Sequence, residues 1–171
     1  MAAITYLAQN HMKKIIILGY GNPDRGDDGV AWHILMRLFN DLQIKDADLF
    51  CCDIISLTSN TDVWFNFQLL PEIAENLSTY QKAIFLDAHT GEIKENVKFS
   101  PVEPEFSNSP FTHHMTPATL LALSNTLTGK HPESWLLSIR GHEFEFNREL
   151  TEKTMRFAEE ALLLLKKELS I

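Results

Sequence analysis

Runs of four or five consecutive apolar residues alternate along this chain with longer stretches in which apolar residues recur every three to four positions. The first kind suits a strand buried on both faces, and the second an amphipathic helix. "KIIIL" (14–18) is the first such run, and glycines end it. Val30, Ile34, Leu35, Leu38 and Leu42 then keep helical spacing, so a helix is expected from Asp28 to about Leu42, with Asp27 as its N-cap. Between 46 and 70, "ADLFCCDII" and "DVWFNFQLL" each read as a strand, with turn-like "SLTSN" between them. Pro71 opens a short helix in "PEIAENLSTY", because its missing N–H is no loss in a first turn.

"KAIFLDAHTG" (82–91) is another buried strand, closed by an acid and then a glycine. "NVKFSPVEP" (96–104) alternates and contains prolines, which confine it to a sheet edge. "FSNSPFTHH" (106–114) has no periodicity and reads as a polar loop. Thr116 caps a helix with Pro117 in its first turn, "SWLLSIRG" (134–141) is a last strand, and "LTEKTMRFAEEALLLLKKELSI" is a closing amphipathic helix. Its glutamates lie toward the start and Lys166 and Lys167 toward the end, as the helix dipole prefers. Strands alternating with helices demand right-handed crossovers and a mainly parallel sheet covered on both faces. The expected fold is therefore α/β, a three-layer α/β/α sandwich.

Length and composition narrow the picture. A chain of 171 residues holds one domain with a proper core, assigned to 13–171, while residues 1–12 read as a loosely ordered N-terminal extension. The formal net charge of -8 argues against a nucleic-acid groove or an anionic membrane as partner. No apolar run is long enough to span a bilayer, and the first dozen residues lack the pattern of a secretory signal. Cys51 and Cys52 are adjacent, so they form no disulfide framework and suit a reducing cytoplasm.

In open α/β sheets ligands bind beyond the carboxyl ends of the strands. That rule selects Asp27 and Asp28 after the first strand, Asp87 and His89 after the central one, and His113 and His114 before the third helix. "GYGNPDRG" imitates a dinucleotide-binding turn, but its third glycine falls late and the P-loop lysine is missing. Asp27 and Asp28 would also repel a phosphate from the helix N-terminus. With Asp27 as cap, Asp28 is free to face the cleft. Nucleophile elbows and HExxH are absent; "RGHEFEF" (140–146) lacks the second histidine, so His142 and Glu143 are assigned to the surface or the cleft rim. Two carboxylates and an imidazole make an O,O,N donor set with open positions, suited to Zn²⁺, Ni²⁺ or Mn²⁺.

"IILGYGNPDRGDDGV" resembles the opening signature of the hydrogenase maturation endopeptidases, which process the large subunit of [NiFe] hydrogenases. "AIFLDAHTG" is similar to that family's second motif, and "FTHHMTPATLLALSNTLTGKHPESWLLSIRG" to its third. The resemblance spans roughly residues 14 to 168 and implies a twisted, five-stranded, mainly parallel sheet. It also implies Asp28, Asp87 and His113 as metal-binding and catalytic residues, with His113 preferred over His114 for its place relative to the helix. The implied activity is removal of a C-terminal extension from a hydrogenase large-subunit precursor in the cytoplasm after nickel insertion. The nickel would come with the precursor and be bound jointly as the recognition element. On that reading the metal would polarise the scissile carbonyl or activate water, with one of the acids as general base. His89 is a possible extra ligand or substrate contact, and Asp24 and Arg25 fall to the loop's exposed crest. Two other readings remain at this point: a conventional zinc-type metallohydrolase, and a non-catalytic module that docks onto a metalloprotein.

Overall fold

The computed structural model describes residues 15–45, 48–51, 53–106 and 115–171. The N-terminal extension, Cys52 and the His113–His114 pair lie outside the described residues. Among the described residues six strands form one sheet: β1 (Ile15–Tyr20), β2 (Ile55–Ser56), β3 (Thr61–Asn66), β4 (Lys82–His89), β5 (Val97–Pro101) and β6 (Glu133–Arg140). Their spatial order is β2-β3-β1-β4-β6-β5, with β3, β1, β4 and β6 parallel and both edge strands antiparallel.

The sheet thus has the six strands that the apolar runs suggest, one more than the family resemblance implies, and β2 is far shorter than its run. "ADLFCCDII" forms no continuous strand. Asp48 Oδ1 accepts the Phe50 N–H at 2.9 Å and draws Leu49–Cys51 into a 3-10 turn, which leaves Ile55 and Ser56 to pair with Val63 and Asp62.

Four α-helices among the described residues cover the two faces: α1 (Val30–Asp41), α2 (Ala74–Leu77), α3 (Pro117–Thr128) and α4 (Glu152–Leu169). α1 packs with α4, and α2 with α3. The strand residues divide accordingly. Ile17, Ile84, Leu86, Leu137 and Ile139 enter the α1/α4 core, while Ile16, Leu18, Ala83 and Phe85 enter the α2/α3 core. Continuous apolar runs such as "IIIL" therefore serve two cores at once, each fully buried side chain contributing about 1.5–3 kcal/mol. Thr116 accepts from Thr119 N, capping α3 where the sequence placed that cap, and Thr151 accepts from Thr154 N and caps α4. Among the described residues no helix is long and apolar enough to cross a membrane.

From β1 the chain leaves through α1 on one face; from β4 it goes on through the edge strand β5 to α3 on the other. β1 and β4 are neighbours, so the crevice beyond their carboxyl ends is the topological switch point at which such sheets bind ligands.

Candidate functional site

The turn after β1 is built around Asn22. Its Oδ1 accepts the Asp24 N–H at 2.9 Å, its carbonyl accepts the Arg25 N–H at 3.0 Å, and its own N–H donates to Asp28 Oδ2 at 2.8 Å. Gly21 makes this closure possible. Its φ is +130°, and a Cβ there would lie 2.1 Å from the Asp28 carbonyl oxygen.

Asp27 does not cap α1, contrary to the sequence reading. Gly29 occupies that cap, because Gly26–Gly29 form a 3-10 turn that swings Asp27 to the far side. There the fully buried carboxylate accepts from the backbone N–H of His142, Glu143 and Thr151 and from the hydroxyls of Thr151 and Thr154. Burial works to raise its pKa, but these hydrogen bonds, with Thr151 N–H and the Thr154 hydroxyl foremost, hold it below the ordinary carboxylate value. Arg25 and Asp24 sit on the crest of the turn and tie it to the loop after β6, through the Phe144 carbonyl and Arg148 respectively.

Asp28 remains on the crevice side, half-buried, with one oxygen held by Asn22. Asp87 stands opposite near the end of β4. Gly19 pairs with Leu86, so the next residues, Tyr20 and Asp87, face one another, and the Tyr20 hydroxyl donates to the Asp87 carboxylate. Burial pushes the Asp87 carboxyl up to about 7. The Tyr20 hydrogen bond and the Ala88 N–H oppose that rise, and the charges of Asp28 and Glu92 add to it. The Tyr20 phenol in turn is driven well above its usual value by burial and by Asp87. Asp28 and Asp87 are therefore electrostatically coupled across the switch point.

His89 follows on the same face. Gly91 N–H donates to its Nδ1 at 3.2 Å, which assigns the ring proton to Nε2; that nitrogen is buried and has no hydrogen bond. Burial lowers the ring's pKa, so it is neutral, and its lone pair is already spent on Gly91. An open cleft of about 390 Å³ runs beside Asp87 and His89, with Glu92, Lys98, Ser100 and Ser138 on its walls. His142 and Glu143 are exposed, as expected.

Among the described residues no cluster of three or more metal-ligating side chains forms. The structure brings together two of the three residues singled out from sequence, Asp28 and Asp87, while His113 lies outside the description. It also adds Tyr20 and Arg140, which sequence reading passed over. A signal for both was present: Tyr20 is the polar residue that ends an otherwise apolar strand, and Arg140 is the charged residue at the carboxyl end of β6.

No family model matches this sequence, and no curated protein matches it. Solved structures do. The fold is similar to that of the [NiFe] hydrogenase maturation protease HycI from Thermococcus kodakarensis KOD1, with a TM-score of 0.64 and 19% identity over 93% of this chain and 94% of that one. It is similar to the hydrogenase maturating endopeptidase HybD from E. coli, with a TM-score of 0.65 and 19% identity over 92% of each chain. The hydrogenase 2 maturation peptidase from Thaumarchaeota archaeon SCGC_AB-539-E09 gives 0.58 and 20% over 92% and 98%. The chain has the fold of the [NiFe] hydrogenase maturation proteases, as the sequence motifs implied.

Proposed function

We propose that this protein is an endopeptidase that removes the C-terminal extension of a [NiFe] hydrogenase large-subunit precursor after nickel insertion. The observation that carries the reading is the convergence of Asp28 and Asp87 at the switch point of a sheet with this fold. The donor chemistry fits a divalent cation. Two hard oxygen donors face each other in a half-buried crevice, and the charge of Asp28 adds to the burial that keeps Asp87 from ionising until a cation arrives. His113, just before α3, is our candidate for the third donor. The nickel belongs to the precursor and is shared with the protease as the recognition element.

A divalent ion so held supplies Lewis acidity toward a carbonyl or a water. The remaining chemistry falls to the chain itself. Asn22 fixes the orientation of Asp28 through its N–H, and Tyr20 fixes that of Asp87 through its hydroxyl. A carboxylate oxygen of Asp87 takes a proton from the water that attacks the scissile carbonyl, and returns it to the leaving amine as the C–N bond breaks. We place this reaction in the cytoplasm, where a reducing environment suits the adjacent Cys51 and Cys52.

The test is incubation of the protein with nickel-loaded and nickel-free precursor, read as loss of the tail by mass spectrometry. Cleavage is expected for the loaded precursor alone, and neither Asp28→Ala nor His113→Ala should cut. Cutting that persists in either variant sinks the residue assignment. Stoichiometric zinc in the purified protein favours a resident-metal hydrolase instead, and binding without shortening favours a docking module.

A further inference from the structure

Arg140 ends β6, in register with His89 of β4. Alternation along β6 sends Leu137 and Ile139 into the α1/α4 core and Leu136 toward the α2/α3 core, so Arg140 lies over the same face as Asp87 and His89. Its guanidinium has no hydrogen bond and no ion pair among the described residues. Every other arginine has one: Arg25 with the Phe144 carbonyl, Arg37 with Asp41, Arg148 with Asp24 and Arg156 with Glu152. Those four are exposed, whereas Arg140 is half-buried. The order is the reverse of what solvation dictates, since the arginine with the least water is the one without a partner. A guanidinium carries five N–H donors in a planar fork, and leaving it partly desolvated and unpaired costs free energy.

Two further features surround it. Gly91, at φ +108°, lies against the guanidinium: a Cβ there would sit 3.3 Å from Nη2 and 3.5 Å from Cζ and Nε. The β4–β5 turn thus packs on part of the fork and supplies no acceptor. Charge is also divided along the carboxyl edge of the sheet. Asp28 and Asp87 lie on the β1/β4 side, while Arg140 lies on the β6/β5 side, where Lys98 is already paired with Glu95 at 3.8 Å.

We propose that Arg140 binds a carboxylate of the peptide substrate on the side of the cut away from Asp28, and so sets specificity at this site. The role rests on the endopeptidase reading. The carboxylate is either an acidic side chain flanking the cut or the α-carboxylate at the end of the tail. A guanidinium pairs with a carboxylate through two parallel hydrogen bonds, and no partner among the described residues has to be displaced.

The experiment is precursor cleavage at rising precursor concentration by the unaltered protein, Arg140→Gln and Arg140→Lys. The precursors are the parent, variants in which each flanking acid is replaced in turn by its amide, and one whose tail ends in an amide. One neutralised precursor is expected to raise KM about ten- to a hundredfold with kcat little changed, the span of a charge-assisted hydrogen bond. Arg140→Gln should raise KM equally on the parent, add nothing on that neutralised precursor, and be partly rescued by Arg140→Lys. Sensitivity at an internal position assigns a side chain; sensitivity at the amidated end assigns the α-carboxylate. The role is overturned if no neutralised precursor changes KM, or if Arg140→Gln loses the same factor on all of them. Arg140→Gln should also unfold at or above the parental temperature, and a fall of many degrees would make the residue structural instead. If the unaltered protein never shortens the parent precursor, the endopeptidase reading fails first. Cleavage without charge preference defeats Arg140 alone.

Discussion

Thr151 donates twice to Asp27, its backbone N–H to Oδ1 and its hydroxyl to Oδ2, each at 2.8 Å. The pair is separated by 124 positions, and it fixes the turn after β1 to the first turn of α4. Asp28, one residue along, faces the crevice instead. Two adjacent aspartates therefore divide the work of the loop: one anchors it, and the other is presented by it.

Replacing Asp27 should accordingly cost stability first. Asp27→Ala leaves buried N–H and hydroxyl donors unpaired, and a loss of about 3–5 kcal/mol is expected in denaturant unfolding. The pH dependence has a definite sign. The folded carboxyl titrates below its ordinary value, so in acid the unfolded chain binds the extra proton. This contribution is fully present above the usual carboxylate range and disappears as pH falls through the folded pKa. Asp27→Asn should flatten that acid limb, and parallel stability curves for the two proteins would refute the assignment.

Gly21 offers a test of how the loop presents Asp28. Gly21→Ala combines φ +130° with a Cβ 2.1 Å from the Asp28 carbonyl oxygen, so the backbone must move. Expected are a loss of about 3 kcal/mol and the disappearance of cleavage. Gly129 is the control: its φ is +75° and a Cβ there meets nothing within 4 Å. Gly129→Ala should cost only about 1 kcal/mol and leave cleavage intact. Equal effects at both glycines would mean that φ strain alone, and not the seat of Asp28, is being measured.

These two residues also mark what could be read from sequence. The Thr116 cap, the edge strand with Pro101 and the acids at strand ends are local signals, and periodicity with capping chemistry was enough to find them. Asp27 was misread because a helix N-terminus was the nearest consumer of its carboxylate, while its true donors lie more than a hundred positions away. β2 was overextended because Asp48 turns the chain by a side-chain hydrogen bond that competes with strand pairing. The juxtaposition of Asp28 and Asp87 was legible because chain order alone creates the switch point between β1 and β4. The Tyr20–Asp87 contact depended on register, which no single strand's sequence contains.

Tyr20→Phe isolates that contact. The Tyr20 hydrogen bond pulls the Asp87 pKa down against burial, so its removal should raise that pKa further. A hydrogen bond to a charged group is worth about 1.5–3 kcal/mol, which translates to roughly one to two pH units. The ionisation of Asp87 in metal-free Tyr20→Phe, followed by NMR of a carboxyl-labelled sample, should move to more alkaline pH by that amount. An unchanged midpoint would show that the phenol does not hold the carboxylate.

Asp87 itself sets the last expectation. In the metal-free protein its carboxyl keeps its proton up to about 7, whereas an unfolded aspartate releases it near 4. The folded state binds more protons between those values, so stability should decline as pH rises from about 4 to about 7 and then level off. Asp87→Asn removes the buried charge and should make the metal-free protein more stable than its parent above pH 7. Addition of nickel or zinc ions should reverse the ranking, because a cation in the crevice stabilises the ionised parent and finds no carboxylate in the variant. Thermal unfolding at pH 5 and pH 8, with and without the ion, checks both halves. Stabilisation of Asp87→Asn by the ion as large as that of the parent would place the cation elsewhere.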